Sequence, residues 1–230
     1  MPDRTNPNEP SWQYGFMAAL SATARDALLE LGRTRTYATG DVVFCEGDPS
    51  EFAVVVLAGR LKVVSTSADG YDTVLAFRGP GDLIGELSLF DGSPRSATVS
   101  ALEPAEVVLV TADRFMELMK AQPEVAPVLL RTVVGKLRDA DRQRLEFGAY
   151  DTTGRVARRL VQLADEHGSN SSGGVRITLP LSQTELAGWT GSSREAVARA
   201  LGLLRGKGLI ATDRRSIVVL DLESLRSLAR

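Results

Sequence analysis

Residues 85–98 read GELSLFDGSPRSAT and lie between segments rich in β-branched residues. The leading glycine would let the backbone approach a ligand closely, and a short helix opening at Glu86 would present free N–H groups to an anion. A buried Arg95 would offer a planar fork to phosphate oxygens. Glu86 cannot bind phosphate but can accept hydrogen bonds from sugar hydroxyls. This combination suits a phosphorylated sugar; a structural ion pair between Glu86 and Arg95 is the alternative.

Short β-branched runs surround this stretch, separated by Gly/Asp turns such as residues 39–41 and 79–82. The runs cover residues 42–45, 53–57, 61–65, 73–77, 97–101 and 107–110. Short strands at a spacing of roughly 8–12 residues are typical of a barrel or jelly roll. The single cysteine, Cys45, ends one such run and is expected to be a small buried strand residue, with a redox sensor as the alternative.

Helical patterns flank the β-rich part, over residues 14–32 and 112–147, and the polar residues 1–13 are expected to be a mobile tail. The second helical part carries a seam with spacing 4, 3, 4, 3. Its members are Ala126, Leu130, Val133, Leu137 and Ala140. The seam is interrupted by Arg144 and would continue at Phe147. Such a heptad pattern favours a homodimer of parallel helices, and packing of the helix on its own barrel is the alternative.

Residues 182–199 read SQTELAGWTGSSREAVAR, after an amphipathic helix at 155–167 and a predicted flexible loop, GSNSSGG, at 168–174. Ser182 with Glu185 fits a capping box, and Gly191 would make the turn between two helices. Small or apolar residues occupy the packing positions, which are Leu186, Ala187, Val197 and Ala200. The pattern predicts a helix-turn-helix, with an ordinary helical hairpin as the alternative.

The second helix of this motif would expose Arg194, Glu195 and Arg199 on one face. Arginine reads guanine edges and glutamate accepts from cytosine amino groups in the major groove. Hydroxyl side chains suited to phosphate contacts are Ser182, Thr184 and Ser193. A hairpin at 211–219, with Arg214 and Arg215 at its tip, would form a wing against the DNA backbone.

Charge is distributed unevenly along the 230 residues: residues 151–230 carry +4 and residues 1–150 carry −6. A basic C-terminal part is consistent with a polyanionic partner. One cysteine and one histidine exclude, within one chain, a four-thiolate zinc site, an iron–sulfur cluster and any site with two histidine ligands. No apolar run approaches the roughly 18 residues of a membrane helix, and residues 1–13 lack a secretory h-region. We therefore expect a cytoplasmic protein without a metal, and no membrane partner.

Residues 85–98 resemble the phosphate-binding cassette of cyclic-nucleotide-binding domains, of the form G-E-x-[AS]-L-x(4)-P-R-[ST]-A-T. The glycines that resemble the barrel turns of that family are Gly40, Gly47, Gly59, Gly70 and Gly81. The resemblance implies that Glu86 holds the ribose 2′-hydroxyl and that Arg95 neutralises the cyclic phosphate. It further implies a surrounding cradle formed by Gly85, Leu87, Ser88 and Ser96.

Residues 14–225 as a whole resemble the CRP/FNR family of bacterial transcription regulators. The implied α+β fold has a cyclic-nucleotide-binding β-roll of the jelly-roll type at 14–120, a dimerisation helix and hinge at 121–150, and a winged helix-turn-helix at 151–230. The resemblance implies a homodimer on palindromic double-stranded DNA with TGTGA-like half-sites, controlled by cAMP. An activator of this kind would also contact RNA polymerase. The cysteine and histidine content argues against its iron–sulfur and haem members.

The sequence departs from cyclic-AMP receptor proteins at the two positions that bind adenine across the dimer. Those positions, normally a Thr and a Ser or Asn, are Ala140 and Asp141 here. Three outcomes are open: weaker selectivity for cAMP, another cyclic nucleotide, or no ligand. A cyclic-nucleotide-binding subunit that does not touch DNA is a further alternative. An enzyme of the cupin type would need a His/Glu metal cluster on the strands, where there is no histidine, so no enzymatic activity is expected.

Overall fold

The computed structural model describes residues 15–67, 70, 72–171, 173–179, 181–213 and 216–229. The predicted tail at 1–13 and the arginines Arg214 and Arg215 lie outside these residues. The chain divides into two compact units, Met1–Ser65 with Leu75–Leu137, and Thr66–Val74 with Arg138–Arg230.

Among the described residues, eight short strands make up most of the first unit, and only Thr66 and residues 72–74 of these strands fall in the second unit. They are β1 (Arg33–Tyr37), β2 (Val42–Phe44), β3 (Phe52–Ala58), β4 (Leu61–Thr66), β5 (Asp72–Arg78), β6 (Leu83–Ile84), β7 (Thr98–Ala101) and β8 (Ala105–Thr111). The helices of the first unit are α1 (Ala22–Leu31), α2 (Glu86–Asp91), α3 (Ala112–Ala121) and the first half of α4 (Val125–Ala149), with a 3₁₀ turn at Met17–Ala19.

The eight strands form two four-stranded sheets, in the orders β1-β8-β3-β6 and β2-β7-β4-β5. Consecutive strands lie in opposite sheets except β4 and β5, which are neighbours in the same sheet, and this is the double Greek key of a jelly roll. The predicted α+β fold with an N-terminal jelly roll is therefore confirmed.

The apolar run of β3 is buried on both faces. Val54 and Val56 point into the core between the two sheets, while Ala53 and Val55 join the core that α1, α3 and α4 cover. Successive side chains of a strand point to opposite faces, so a strand covered on both sides is apolar throughout.

Helix α4 buries only one side of its first turns. Val125, Val128 and Leu129 enter the core of the first unit. Leu130 and Leu137, both on the predicted seam, are 64% and 62% exposed. The first half of α4 therefore packs on the first unit, where Val133 of the seam also contacts the core, while Leu130 and Leu137 leave part of the seam exposed.

The described part of the second unit contains the end of α4 and four further helices, with four strands in the order β11-β12-β10-β9. The elements are α5 (Thr152–His167), β9 (Gly168–Ser171), β10 (Gly174–Ile177), α6 (Gln183–Thr190), α7 (Arg194–Gly206), β11 (Ile210–Asp213), β12 (Ser216–Val219) and α8 (Leu222–Leu228). Helix α5 buries Val156, Leu160 and Leu163, as its amphipathic pattern predicts.

Two expectations from the sequence are wrong. The predicted loop at 168–174 begins with strand β9, which pairs antiparallel with β10. This pairing uses main-chain groups, so the polar side chains of β9 gave no signal of it. Cys45 is exposed rather than buried. It follows the last residue of β2, and its N–H already donates to Asp48 Oδ2 (2.8 Å) in the next turn.

None of the helices described here combines the length and apolarity needed to cross a membrane.

Candidate functional site

Arg95 is the buried centre of the first candidate site. It lies between α2 and β7 and is 2% exposed. Its guanidinium donates to the main-chain oxygens of Gly85 (Nη1, 3.1 Å) and Phe52 (Nη2, 2.5 Å). The rings of Phe44 and Phe52 lie 4.2 and 4.9 Å from its central carbon. These contacts hold the guanidinium rigidly in one orientation.

The Arg95 guanidinium has unused capacity for an anion. Among the described residues no carboxylate forms a salt bridge with it, and its buried Nε has no hydrogen-bond partner. Burial lowers the pKa of Arg95, and the nearby charges of Asp48, Glu51 and Glu86 oppose that shift. A buried cation with a spare donor is stabilised by an anionic ligand that supplies both charge and acceptor.

Glu86 begins α2 and is 3% exposed. Its Oε1 accepts a hydrogen bond from Lys136 Nζ (2.9 Å), which also donates to the main-chain oxygen of Leu83 (2.7 Å). The alternative of a Glu86–Arg95 ion pair is therefore wrong. Arg95 instead donates to the main-chain oxygens of Gly85 and Phe52, and Lys136 of α4 is the partner of Glu86.

Lys136 is the residue of this site that the sequence did not reveal. Burial lowers its pKa, and the adjacent Glu86 carboxylate opposes the shift. Its partner is 50 residues away in the chain. The heptad spacing drew attention to the apolar seam of α4, and nothing in it linked a lysine beside the seam to Glu86.

Gly85 must be glycine for two reasons. Its φ is +77°, and a Cβ built on it would lie 2.5 Å from Arg95 Nη1. We expect Gly85→Ala to lower the free energy of unfolding by about 1–3 kcal/mol, because a left-handed backbone strains an L side chain and Arg95 would be displaced. Urea unfolding measures this loss. Gly79→Ala is the matched control, since nothing lies within 4 Å of a Cβ there; equal losses in both variants would contradict the explanation.

The other predicted ligand-binding residues differ in placement. Ser88 is buried in α2, whereas Leu87 and Ser96 are exposed. Ala140 and Asp141 are exposed on α4 and belong to the second unit. The structure thus brings together Gly85, Glu86 and Arg95 as a compact group within the first unit.

The second candidate site is the α6–α7 pair. Ser182 and Glu185 form the predicted capping box at the start of α6, and Ser193 caps α7. Gly191, with φ +55°, makes the turn, and a Cβ on it would lie 2.4 Å from the Phe147 ring. The four predicted packing positions, Leu186, Ala187, Val197 and Ala200, are all buried. The predicted helix-turn-helix is therefore confirmed.

The exposed face of α7 carries Arg194, Glu195 and Arg199. Hydrogen bonds from the main-chain N–H of Glu195 itself and from the Ser193 side chain lower the pKa of Glu195. Its carboxylate therefore stays ionised, as an acceptor must. Of the residues predicted to contact phosphate, Thr184 and Ser193 are exposed and Ser182 is half-buried in its capping box. The β11–β12 hairpin occupies the place of the predicted wing.

Within the described ranges there is no group of three His, Cys, Asp or Glu residues placed to hold a metal ion.

Comparison with known proteins assigns a family to each part of the chain. Residues 34–122 match the model of the cyclic nucleotide-binding domain, and residues 154–228 match that of the Crp-like helix-turn-helix domain. A CRP-like cAMP-activated global transcriptional regulator of Mycobacterium tuberculosis is 31% identical over 216 residues, which cover 94% of this chain and 96% of that protein. The cyclic AMP receptor protein of Thermus thermophilus is 29% identical and covers 89% of this chain and 91% of its own.

Solved structures agree with these sequence matches. The global regulator CLP of Xanthomonas campestris, described as responsive to c-di-GMP, superposes with a TM-score of 0.79 at 25% identity and covers 86% of this chain and 99% of its own. FixK2 of Bradyrhizobium japonicum gives a TM-score of 0.76 at 25% identity, over 86% of this chain and 98% of its own.

Proposed function

Because the chain belongs to the CRP/FNR family of transcriptional regulators, we propose that it is a homodimeric, sequence-specific DNA-binding regulator controlled by cAMP bound in the jelly roll. The proposal that a nucleotide binds rests on the buried Arg95, whose Nε has no hydrogen-bond partner, together with the buried carboxylate of Glu86. As a bacterial regulator it would act on the chromosome in the cytoplasm. An activator would additionally contact RNA polymerase.

The chemistry of a cyclic nucleotide fits the group around Arg95. The cyclic phosphate supplies the negative charge and the acceptor oxygens that the guanidinium lacks. The ribose 2′-hydroxyl would donate to the Glu86 carboxylate, whose Oε1 already accepts from Lys136. Gly85 has no side chain that would displace the Arg95 guanidinium from this position, and Ser88 and Ser96 would offer hydroxyls to the same ligand.

The residues at the positions that would contact the base of the nucleotide leave two candidate functions. Ala140 has no hydroxyl to reach an adenine amino group, and Asp141 would accept a hydrogen bond but adds negative charge near an anionic ligand. This departure favours, as the second candidate, a regulator of the same family that needs no ligand or binds another one. A structural neighbour described as responsive to c-di-GMP makes that dinucleotide a necessary comparison.

The exposed residues of the α4 seam support the proposed dimer, and the exposed face of α7 supports the proposed contact with DNA. In a parallel dimer the seam of α4 would be buried between two copies. Two α7 helices would then enter successive major grooves about 34 Å apart, so the operator would be a palindrome. The resemblance of α7 to cyclic-AMP receptor proteins suggests TGTGA-like half-sites. Ligand binding changes DNA affinity only if the ligand binds one arrangement of the reading helices more tightly than the other.

The proposal is tested by isothermal titration of the purified protein with cAMP, cGMP and c-di-GMP, followed by mobility shift on a duplex that carries two inverted TGTGA half-sites one helical turn apart. Saturable binding of cAMP together with a cAMP-dependent shift supports the proposal. A shift without binding of any of the three nucleotides would favour the ligand-independent candidate. Nucleotide binding without a shift on any duplex from a random pool would contradict DNA regulation.

We expect Glu195→Ala to weaken binding to the operator by about 10- to 100-fold, because one base pair loses its carboxylate acceptor. Specificity at that base pair should relax, while affinity for random duplex stays unchanged. Fluorescence anisotropy with singly substituted operators measures both effects. Glu223→Ala is the matched control, since Glu223 is an exposed glutamate in the first turn of α8. Equal losses on specific and random DNA would refute the base-reading role.

A further inference from the structure

Three arginines of α5 contact residues at or just after the end of α4, all within the second unit, and two of them, Arg155 and Arg159, also contact the helix-turn-helix. Arg155 donates to the main-chain oxygens of Tyr150 (Nη1, 2.6 Å) and Thr190 (Nε, 2.8 Å), and to Ser192 Oγ (3.1 Å). Arg158 and Arg159 lie one turn after Arg155 on α5, and both contact the last turn of α4. The family match does not assign a role to the pair Arg158 and Arg159, and neither residue is part of the sites described above.

Glu146, in the last turn of α4, receives both of these arginines. Arg158 Nε donates to Glu146 Oε1 (3.1 Å) and Arg159 Nη2 donates to Glu146 Oε2 (2.7 Å). Each carboxylate oxygen therefore binds a different arginine. The Glu146 side chain is only 12% exposed and that of Arg159 only 7%, so solvent does little to screen this pair.

Arg159 extends from Glu146 to the first helix of the reading motif. Its guanidinium carbon lies 5.0 Å from the ring of Trp189, a buried residue of α6. Its Nη1 donates to Gln162 Oε1 (2.9 Å). Burial lowers the pKa of Arg159, and the Glu146 carboxylate opposes that shift. Without the Glu146 carboxylate, the buried Arg159 guanidinium would face the Trp189 ring with less negative charge nearby to offset its desolvation.

Arg158 fixes the other side of the carboxylate. It donates to the main-chain oxygen of Ala229, and its guanidinium lies 4.5 Å from the ring of Tyr150. The next residue of α4, Phe147, lies against Gly191 in the α6–α7 turn. The last turn of α4 is thus held to α6 and to the turn before α7 by two independent contacts.

We propose that Glu146 is a positioning residue, which through Arg159 and Trp189 fixes the helix-turn-helix against the last turn of α4 and so sets the affinity of α7 for DNA. A buried ion pair is weak support for stability, because desolvation offsets the attraction. Its directional hydrogen bonds instead define one geometry. The DNA part of this proposal rests on the proposed function, whereas the positioning of Trp189 does not.

The test uses the full chain with Trp12→Phe, so that Trp189 is the single tryptophan. In this background Glu146→Gln, Arg159→Met and the double variant are compared with Asp139→Asn. Asp139 and Arg142 form an exposed ion pair on the same helix, so this control removes a charge pair without touching Trp189. Arg159→Lys keeps the charge but loses the planar fork.

Trp189 emission and acrylamide quenching report position, and anisotropy on a duplex selected from a random pool by the unsubstituted protein reports DNA affinity. Glu146→Gln and Arg159→Met should each shift the emission and lower DNA affinity about tenfold, with the double variant no worse than either, because the pair acts as one unit. Arg159→Lys should recover part of the loss, and Asp139→Asn should change neither quantity.

Unaltered emission and DNA affinity in Glu146→Gln would overturn the proposal, as would additive losses in the double variant. A lower free energy of unfolding with both readouts intact would show a purely structural pair and would overturn it as well. If the unsubstituted protein binds no duplex, the proposed function fails. The positioning role is then decided by Trp189 emission and by the coupling of the two substitutions in that emission.

Discussion

Arg95→Ala is expected to reduce affinity for cAMP by at least about 30-fold. A buried charge that hydrogen-bonds a ligand contributes roughly 2–5 kcal/mol when one partner is truncated. Arg95 is held by two carbonyls and two aromatic rings, so it meets an anion with little further loss of side-chain freedom. Isothermal titration measures the loss directly.

Two companion variants separate binding from folding in this experiment. Arg95→Lys keeps a positive charge without the fork, and we expect its affinity to lie between those of the unsubstituted protein and Arg95→Ala. Arg60→Ala removes an arginine of the same unit that is paired with Glu103 and partly exposed, and it should bind cAMP normally. Urea unfolding of Arg95→Ala establishes that the protein tested is folded. Unchanged cAMP affinity in folded Arg95→Ala would remove the basis for the pocket.

The double substitution Leu130→Lys and Leu137→Lys is expected to convert a dimer into a monomer. Both leucines are more than 60% exposed in the single chain, and they occupy equivalent positions one heptad apart. Four lysines in the core of a parallel helix pair would be desolvated and would repel one another. Sedimentation equilibrium measures the change of mass.

Loss of the dimer should also weaken binding to the palindromic operator by about 100-fold or more, because two linked reading helices no longer bind together. Binding of a single half-site should change little. Val42→Lys is the control, since Val42 of β2 is also an exposed apolar residue, at 51%, but lies off the seam. A double variant that remains dimeric would exclude the α4 seam as the interface.

Spacing in the sequence was sufficient for much of the architecture. The turn glycines and β-branched runs predicted the jelly roll, because a strand of alternating or fully buried residues has a regular period. The capping box at Ser182 and the turn at Gly191 predicted the helix-turn-helix, because caps and left-handed turns depend on residues within one or two turns of each other. The seam of α4 was visible for the same reason.

Elements held by main-chain pairing were less visible. Strand β9 consists of Gly168, Ser169, Asn170 and Ser171, whose side chains favour a loop, and only its pairing with β10 makes it a strand. Cys45 shows the opposite error. It ends a β-branched run, yet the hydrogen bond of its N–H to Asp48 places it in a turn.

The sequence by itself determined the jelly roll, the helix-turn-helix and the exposed face of α7, because these depend on short-range patterns. Only the tertiary structure decided the partners of the buried charges. Glu86 pairs with Lys136 rather than Arg95, and Glu146 joins Arg159 beside Trp189. The physical reason is that a buried charge is compensated by whichever opposite charge or carbonyl group folding brings within about 3 Å. Such partners are far apart in the chain, so no periodic pattern in the sequence indicates that they pair.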